Sequence, residues 1–197
     1  MNHRTAITGI GIASVLVAIH TADADHLTYF DFILNGGQEV PASTSDAFGF
    51  ATLTYDSMDM TFDLALFTDG LALADLLGVG PNATPIHLHM APAGMNGGIV
   101  VDLGLVGSFV DEGGGILSFN VMDVPIGGPQ GAIPASDPAA NEAALFNAGL
   151  YLNLHTSDNP GGAIRGQVVP APAAPLIVGV ATILGAGRRR RRNHSNH

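Results

Sequence analysis

The middle of the chain alternates apolar and polar positions with a period of two. Phe30, Phe32 and Leu34 recur at every second place, followed by Phe48 and Phe50. Then come Met60, Phe62, Leu64 and Leu66, with Thr61, Asp63 and Ala65 between them. Successive side chains leave opposite faces of a strand, so this pattern predicts half-buried β-strands. Short apolar runs bounded by Gly, Pro, Asn and Asp predict further strands at residues 86–90, 99–103, 115–121, 150–155 and 163–169. Many short strands predict an all-β fold, a single antiparallel sandwich or barrel. Its inward set is read as Phe30, Phe32, Phe50, Phe62, Leu64, Leu88, Leu152 and Leu154. Residues 71–77 and 139–148 are rich in Ala and Leu and predict two short helices in connections, the second opened by Asp137-Pro138.

Both ends depart from this pattern. Arg4 precedes an uncharged run to Thr21, and Ala22-Asp23-Ala24 follows. That layout predicts a secretory signal over residues 1–24, cut by signal peptidase after Ala24 on the small residues Ala22 and Ala24. At the other end Val169-Pro170-Ala171-Pro172 opens an uncharged segment that runs to Gly187, and Arg188 begins five consecutive arginines, residues 188–192. Such a run holds its end of a spanning segment on the cytoplasmic side. Residues 173–187 read as a short transmembrane helix. Its proline-free part, residues 176–187, is about 18 Å long as a helix against a hydrocarbon core of ~30 Å. A span that short suits transient membrane insertion followed by removal. The order of Pro170, Pro172, apolar helix and Arg run resembles the PEP-CTERM sorting signal. That resemblance implies processing by an exosortase-like protease and a final place in the cell envelope, at the cell surface or outside the cell. Ala171 stands where the motif usually has Glu.

Three segments are expected: 1–24, the body 25–169 and the sorting tail 170–197. The body keeps 16 of the 17 acidic residues, all but Asp23, and Arg165 is its only Lys or Arg, so its formal charge is near −15. This balance excludes a nucleic-acid partner and favours cations. Absence of Cys removes disulfides, thiolate metal sites and Cys nucleophiles, and absence of Lys removes Schiff-base chemistry. No G-x-S-x-G nucleophile motif occurs.

His87 and His89 are two apart on one strand, so their rings share a face opposite Ile86, Leu88 and Met90. By the same parity His155 joins Asn153 and Tyr151 opposite Leu152 and Leu154. If the strands are neighbours, His87, His89 and His155 converge as ligands for one Zn or Cu ion from the solvent side of the sheet, in a site that weakens below pH ~6.5. The competing reading has these histidines hydrogen-bond loop backbone and tie the Gly-rich segment 91–98 onto the sheet. Arg165, opposite Ile164, is expected to organise the loop containing Asp158, with Glu39 as the alternative partner.

Leu34-Asn35-Gly36-Gly37-Gln38-Glu39-Val40-Pro41, His87-Leu88-His89 and Asn153-Leu154-His155-Thr156, the last followed by Asn159-Pro160-Gly161-Gly162-Ala163-Ile164-Arg165-Gly166-Gln167, together resemble the CHRD domain. The resemblance implies an immunoglobulin-like β architecture and an exported protein. It points to a non-enzymatic binding or structural module whose partner is an envelope polysaccharide or protein. The His-x-His strand with a distant strand His is also similar to the copper site of Cu,Zn superoxide dismutases, which implies a redox-active metalloprotein as the alternative. The bridging His, zinc ligands and cysteines of that family have no counterparts in the body.

Overall fold

The computed structural model describes residues 26–77, 84–129 and 136–170. Nine antiparallel strands form one strongly curled sheet: β1 (Leu27–Asn35), β2 (Phe48–Asp56), β3 (Thr61–Asp69), β4 (Ile86–Met90), β5 (Gly98–Asp102), β6 (Phe109–Gly113), β7 (Ile116–Pro125), β8 (Leu150–Leu154) and β9 (Ile164–Gln167). Their order is β5-β4-β8-β9-β1-β2-β3-β7-β6. The all-β sandwich-like expectation holds. The two halves, β5-β4-β8-β9 and β1-β2-β3-β7-β6, meet where Asn35 pairs with Arg165.

The concave face encloses the core. Phe30, Leu34, Leu53, Phe62, Leu64 and Leu66 contribute from one half, and Ile86, Leu88, Leu152, Leu154 and Ile164 from the other. One helix, α1 (Pro138–Phe146), closes an end of the sandwich. Its first turn is capped by the Asp137 side chain, which accepts from Ala139 N, as a Pro at the first turn and an Asp before it favour. It buries Leu145 and sets Phe146 edge-on to Tyr55 at 5.8 Å.

Two expectations change, and one strand, β6, is added to those expected. Phe50 is not inward but exposed, because β2 runs on to Asp56 and its longer apolar set, Ala51, Leu53 and Tyr55, takes the core face. Residues 71–77 form only a 3₁₀ turn at Leu73–Asp75. Strand β6 has no alternation in Phe-Val-Asp-Glu-Gly and pairs with β7 alone, as an edge strand. Among the described residues no helix is long and apolar enough to cross a membrane. The expected spanning stretch and Ala22, Ala24, Pro172 and Arg188 lie outside the described residues. Pro170 lies inside them, bridged to Phe30.

Candidate metal centre

Side-chain alternation on β4, β8 and β9 sends the aliphatic residues into the core and the polar ones to the convex face. Register then lines the polar ones up. Asp102, His87, Asn153, Arg165 and Asn35 pair successively across β5, β4, β8, β9 and β1. One step along, His89, Tyr151 and Gln167 form a second row.

This face is not open to solvent, contrary to the parity reading. His87, His89 and His155 are all buried, as are Asn153, Asp102, Tyr151 and Arg165. The cover comes from segments 91–97 and 158–162 and from the turn after β1. Gly97 O accepts from His89 Nδ1 at 3.0 Å, and Gly97 N donates to Tyr151 Oη at 3.2 Å. Pro160 O lies 3.1 Å from His155 Nδ1. Gln167 Nε2 ties down Ala91 O, Ala148 O and Leu150 O. Arg165 donates to Asn96 Oδ1, Pro92 O and Gln167 Oε1. It therefore organises segment 91–97 rather than the loop containing Asp158. Its guanidinium also lies over the Tyr151 ring, 3.4 Å from the centroid.

The three histidines meet. One ligand atom from each lies within 4.8 Å of the others, and the His87 and His155 ring centroids are 5.2 Å apart. His89 Nε2, His155 Nε2 and both nitrogens of His87 are buried without a hydrogen-bond partner. A buried polar atom left unpaired costs about 1–3 kcal/mol. Their convergence therefore concentrates unsatisfied lone pairs at one point. In His89 and His155 the bond to a backbone carbonyl fixes the proton on Nδ1, which leaves Nε2 as a free lone pair. This is how metal-ligating imidazoles are ordinarily oriented. His87 Nε2 lies 3.8 Å from Asp102 Oδ1, a carboxylate already bonded to Thr84 N and to Thr84 Oγ1. Three nitrogens bound at ~2.0–2.1 Å to one tetrahedral ion lie about 3.4 Å apart. Closing the trio, whose atoms lie within 4.8 Å of one another, onto an ion therefore requires the rings to draw together by on the order of 1 Å. The structural and ligating roles of the histidines are thus compatible, because each uses a different nitrogen of the ring.

Electrostatics favour the ligating form. Burial pushes His87 down to about 3, helped by His155 and His89. It pushes His89 to about 4 against the Gly97 bond, with His155 and Arg165 adding to the fall. His155 is lowered too, by burial. His87 and His89 are therefore neutral well below pH 6.5, and the expected onset of proton competition moves down accordingly. Glu39, under Gly162, moves the other way. Burial raises its carboxyl to about 7 against the pull of Arg165 and Asn153. Asp102 entered the site without any signal in the sequence, since only the pairing of β5 with β4 brings it there; Gln167 stands in the closing motif, and the pairing of β9 with β8 carries it to the site.

Comparisons with curated proteins and with solved structures gave no match. A family model, the CHRD domain, matches residues 30–168, a stretch that contains both histidine strands, Glu39 and Arg165. The chain belongs to the CHRD domain family.

Proposed function

We propose that this chain is an exported envelope protein whose CHRD domain is a binding module holding one copper or zinc ion on His87, His89 and His155. The observation that carries the reading is the convergence of buried nitrogens without partners, two of them on rings whose Nδ1 is fixed by a carbonyl. Imidazole donors suit Zn and Cu. Asn153 and Arg165 keep structural roles, and the Asp102 carboxylate lies 3.8 Å from His87 Nε2. The role is one of holding rather than turnover, because the rings lie beneath two cover segments.

Export is supported by family membership and by the sequence of the ends. In this proposal signal peptidase cuts after Ala24, and an exosortase-like protease acts at the tail that begins with Pro170 and Pro172 and carries Arg188. The protein then stays at the cell surface or in the matrix. A second reading, recognition of an envelope polysaccharide or protein, is favoured by a cleft of about 490 Å³ between the 39–44 turn and segment 158–162, lined by Glu39, Thr44, Asn96 and Asp158. Calorimetric titration of the metal-free chain with Zn(II) and with Cu(II) tests the leading reading. One equivalent bound, and none in His87→Ala, supports it; no saturable binding overturns it.

A further inference from the structure

The other half of the sheet presents an apolar band that the core does not use. Register aligns Ile33, Phe50 and Phe67 across β1, β2 and β3. The row continues through Ser118 to Val110. Ile33, Phe50 and Phe67 are 49%, 45% and 52% exposed, and the adjacent row adds exposed Phe48 and Ile116. A contiguous apolar surface of this kind marks a place that something covers. The strands of its aromatic part, β1, β2 and β3, are interior to the sheet, so there it offers side-chain burial and not a free backbone edge. Asp31, Asp63, Asp69 and Glu112 stand on the same face. Arg165 is the only Lys or Arg among the described residues, and it is buried on the other half. No Lys or Arg of the body answers these carboxylates.

We propose that the occupant is the chain's own C-terminal segment, with uncharged residues 171–187 on the apolar rows and arginines 188–192 against the acidic rim. Three observations lead to it. The chain leaves the body at the edge of the band, where Val169, Ile33 and Phe50 line one depression of about 330 Å³. Next, the segment has the complementary chemistry in the required order: an apolar stretch without a charge, then the only cluster of bases in the chain. Finally, it reaches. Five strands from β1 to β6 span about 19 Å at ~4.8 Å per step. Residues 176–187 cover about 18 Å even as a helix, and more if extended. The tail would shield the band for as long as it is attached, and its removal would expose the band to envelope partners. This inference does not depend on the metal centre.

The test uses the full 197-residue chain made by cell-free synthesis, with the photo-crosslinker p-benzoylphenylalanine in place of Phe67. Irradiation is expected to give an adduct at monomer mass joining position 67 to a peptide from 171–192. Asp31→Asn with Asp69→Asn should reduce its yield several-fold. Adducts that link two chains, that join position 67 to residues 1–25, or that capture only detergent would each overturn the proposal, as would no adduct at all. A second measurement needs no crosslinker: ending the chain after Pro170 should raise the fluorescence of a bound apolar dye several-fold over the full chain. Equal fluorescence would contradict the tail's place on the band.

Discussion

The imidazole of His89 lies flat on the ring of Tyr151, with centroids 4.8 Å apart and planes within 10°. The same tyrosine carries the Arg165 guanidinium. A candidate ligand from β4, an aromatic from β8 and a buried cation from β9 are thus stacked side by side across three paired strands. The position of His89 is set by this stack and by Gly97 O together, so the site is built by the sheet's register as much as by the histidines themselves.

Arg165 is the keystone of that stack. Arg165→Met should lower stability by about 3–5 kcal/mol, since it removes buried charge-assisted hydrogen bonds to Asn96 Oδ1, Pro92 O and Gln167 Oε1 and the cation over the Tyr151 ring. Glu39→Gln should cost much less near pH 6, where the native carboxyl is largely protonated. Urea unfolding of both variants measures the difference; equal losses would contradict the weight given to the Arg165 hydrogen bonds.

Acid sensitivity of the metal-free protein follows from the same burial. An unfolded chain protonates its histidines near ~6.5, whereas the folded state resists until about 3 for His87 and about 4 for His89. Between these values the unfolded state binds more protons, so stability falls as pH drops from 6.5 toward 4, by at most about 1.4 kcal/mol per pH unit per ring. Glu39 has the opposite sign: its contribution is complete below 4.5 and is lost as pH rises through about 7. Three rings outweigh one carboxyl. Unfolding midpoints between pH 6.5 and 5 should therefore fall more steeply for the unmutated protein than for His89→Asn, in which the other carboxylates are unchanged. Parallel profiles would contradict the burial argument.

Gly97 tests the cover segment. A Cβ there would fall inside contact distance of Met90 O, so Gly97→Ala must displace the residue that fixes both His89 Nδ1 and Tyr151 Oη. Losing the partner that orients a metal-bound His typically costs 10–100-fold in affinity. Metal affinity of Gly97→Ala should drop by that order while His155 keeps its bond to Pro160. Unchanged affinity would mean that the carbonyl does not orient the ring.

Much of the scaffold was legible because period-two alternation is a direct consequence of strand geometry. Strand β4 matches its expected limits, and the face shared by His87, His89, Asn153 and His155 follows from counting. What escaped has equally physical causes. Parity in β2 was set by Ala51, Leu53 and Tyr55, and the two phenylalanines before them pointed the wrong way. Burial of the histidine face depends on two segments folding over it: 91–97, which the reading that ties the Gly-rich segment onto the sheet anticipates through His89 and Gly97, and 158–162, which no local pattern encodes. Asp102 reaches His87 only through the pairing of β5 with β4. A simple check on β2 is that Phe50→Ser in the chain ended after Pro170 should change stability within about 0.5 kcal/mol, against a loss of about 2–5 kcal/mol for Leu53→Ala.

The central claim is that three buried imidazoles form one metal site, and metal content measured on the folded protein addresses it most directly. Protein loaded with Cu or Zn, passed through a desalting column at pH 7 and analysed for protein and metal should retain one ion per chain. X-ray absorption should show three imidazole nitrogens at ~2.0–2.1 Å. His87→Ala, His89→Ala and His155→Ala should each retain none. Substoichiometric metal in the unmutated protein, or equal retention by the three variants, would contradict the account and leave the histidines as hydrogen-bonding groups that fasten the cover segments to the sheet.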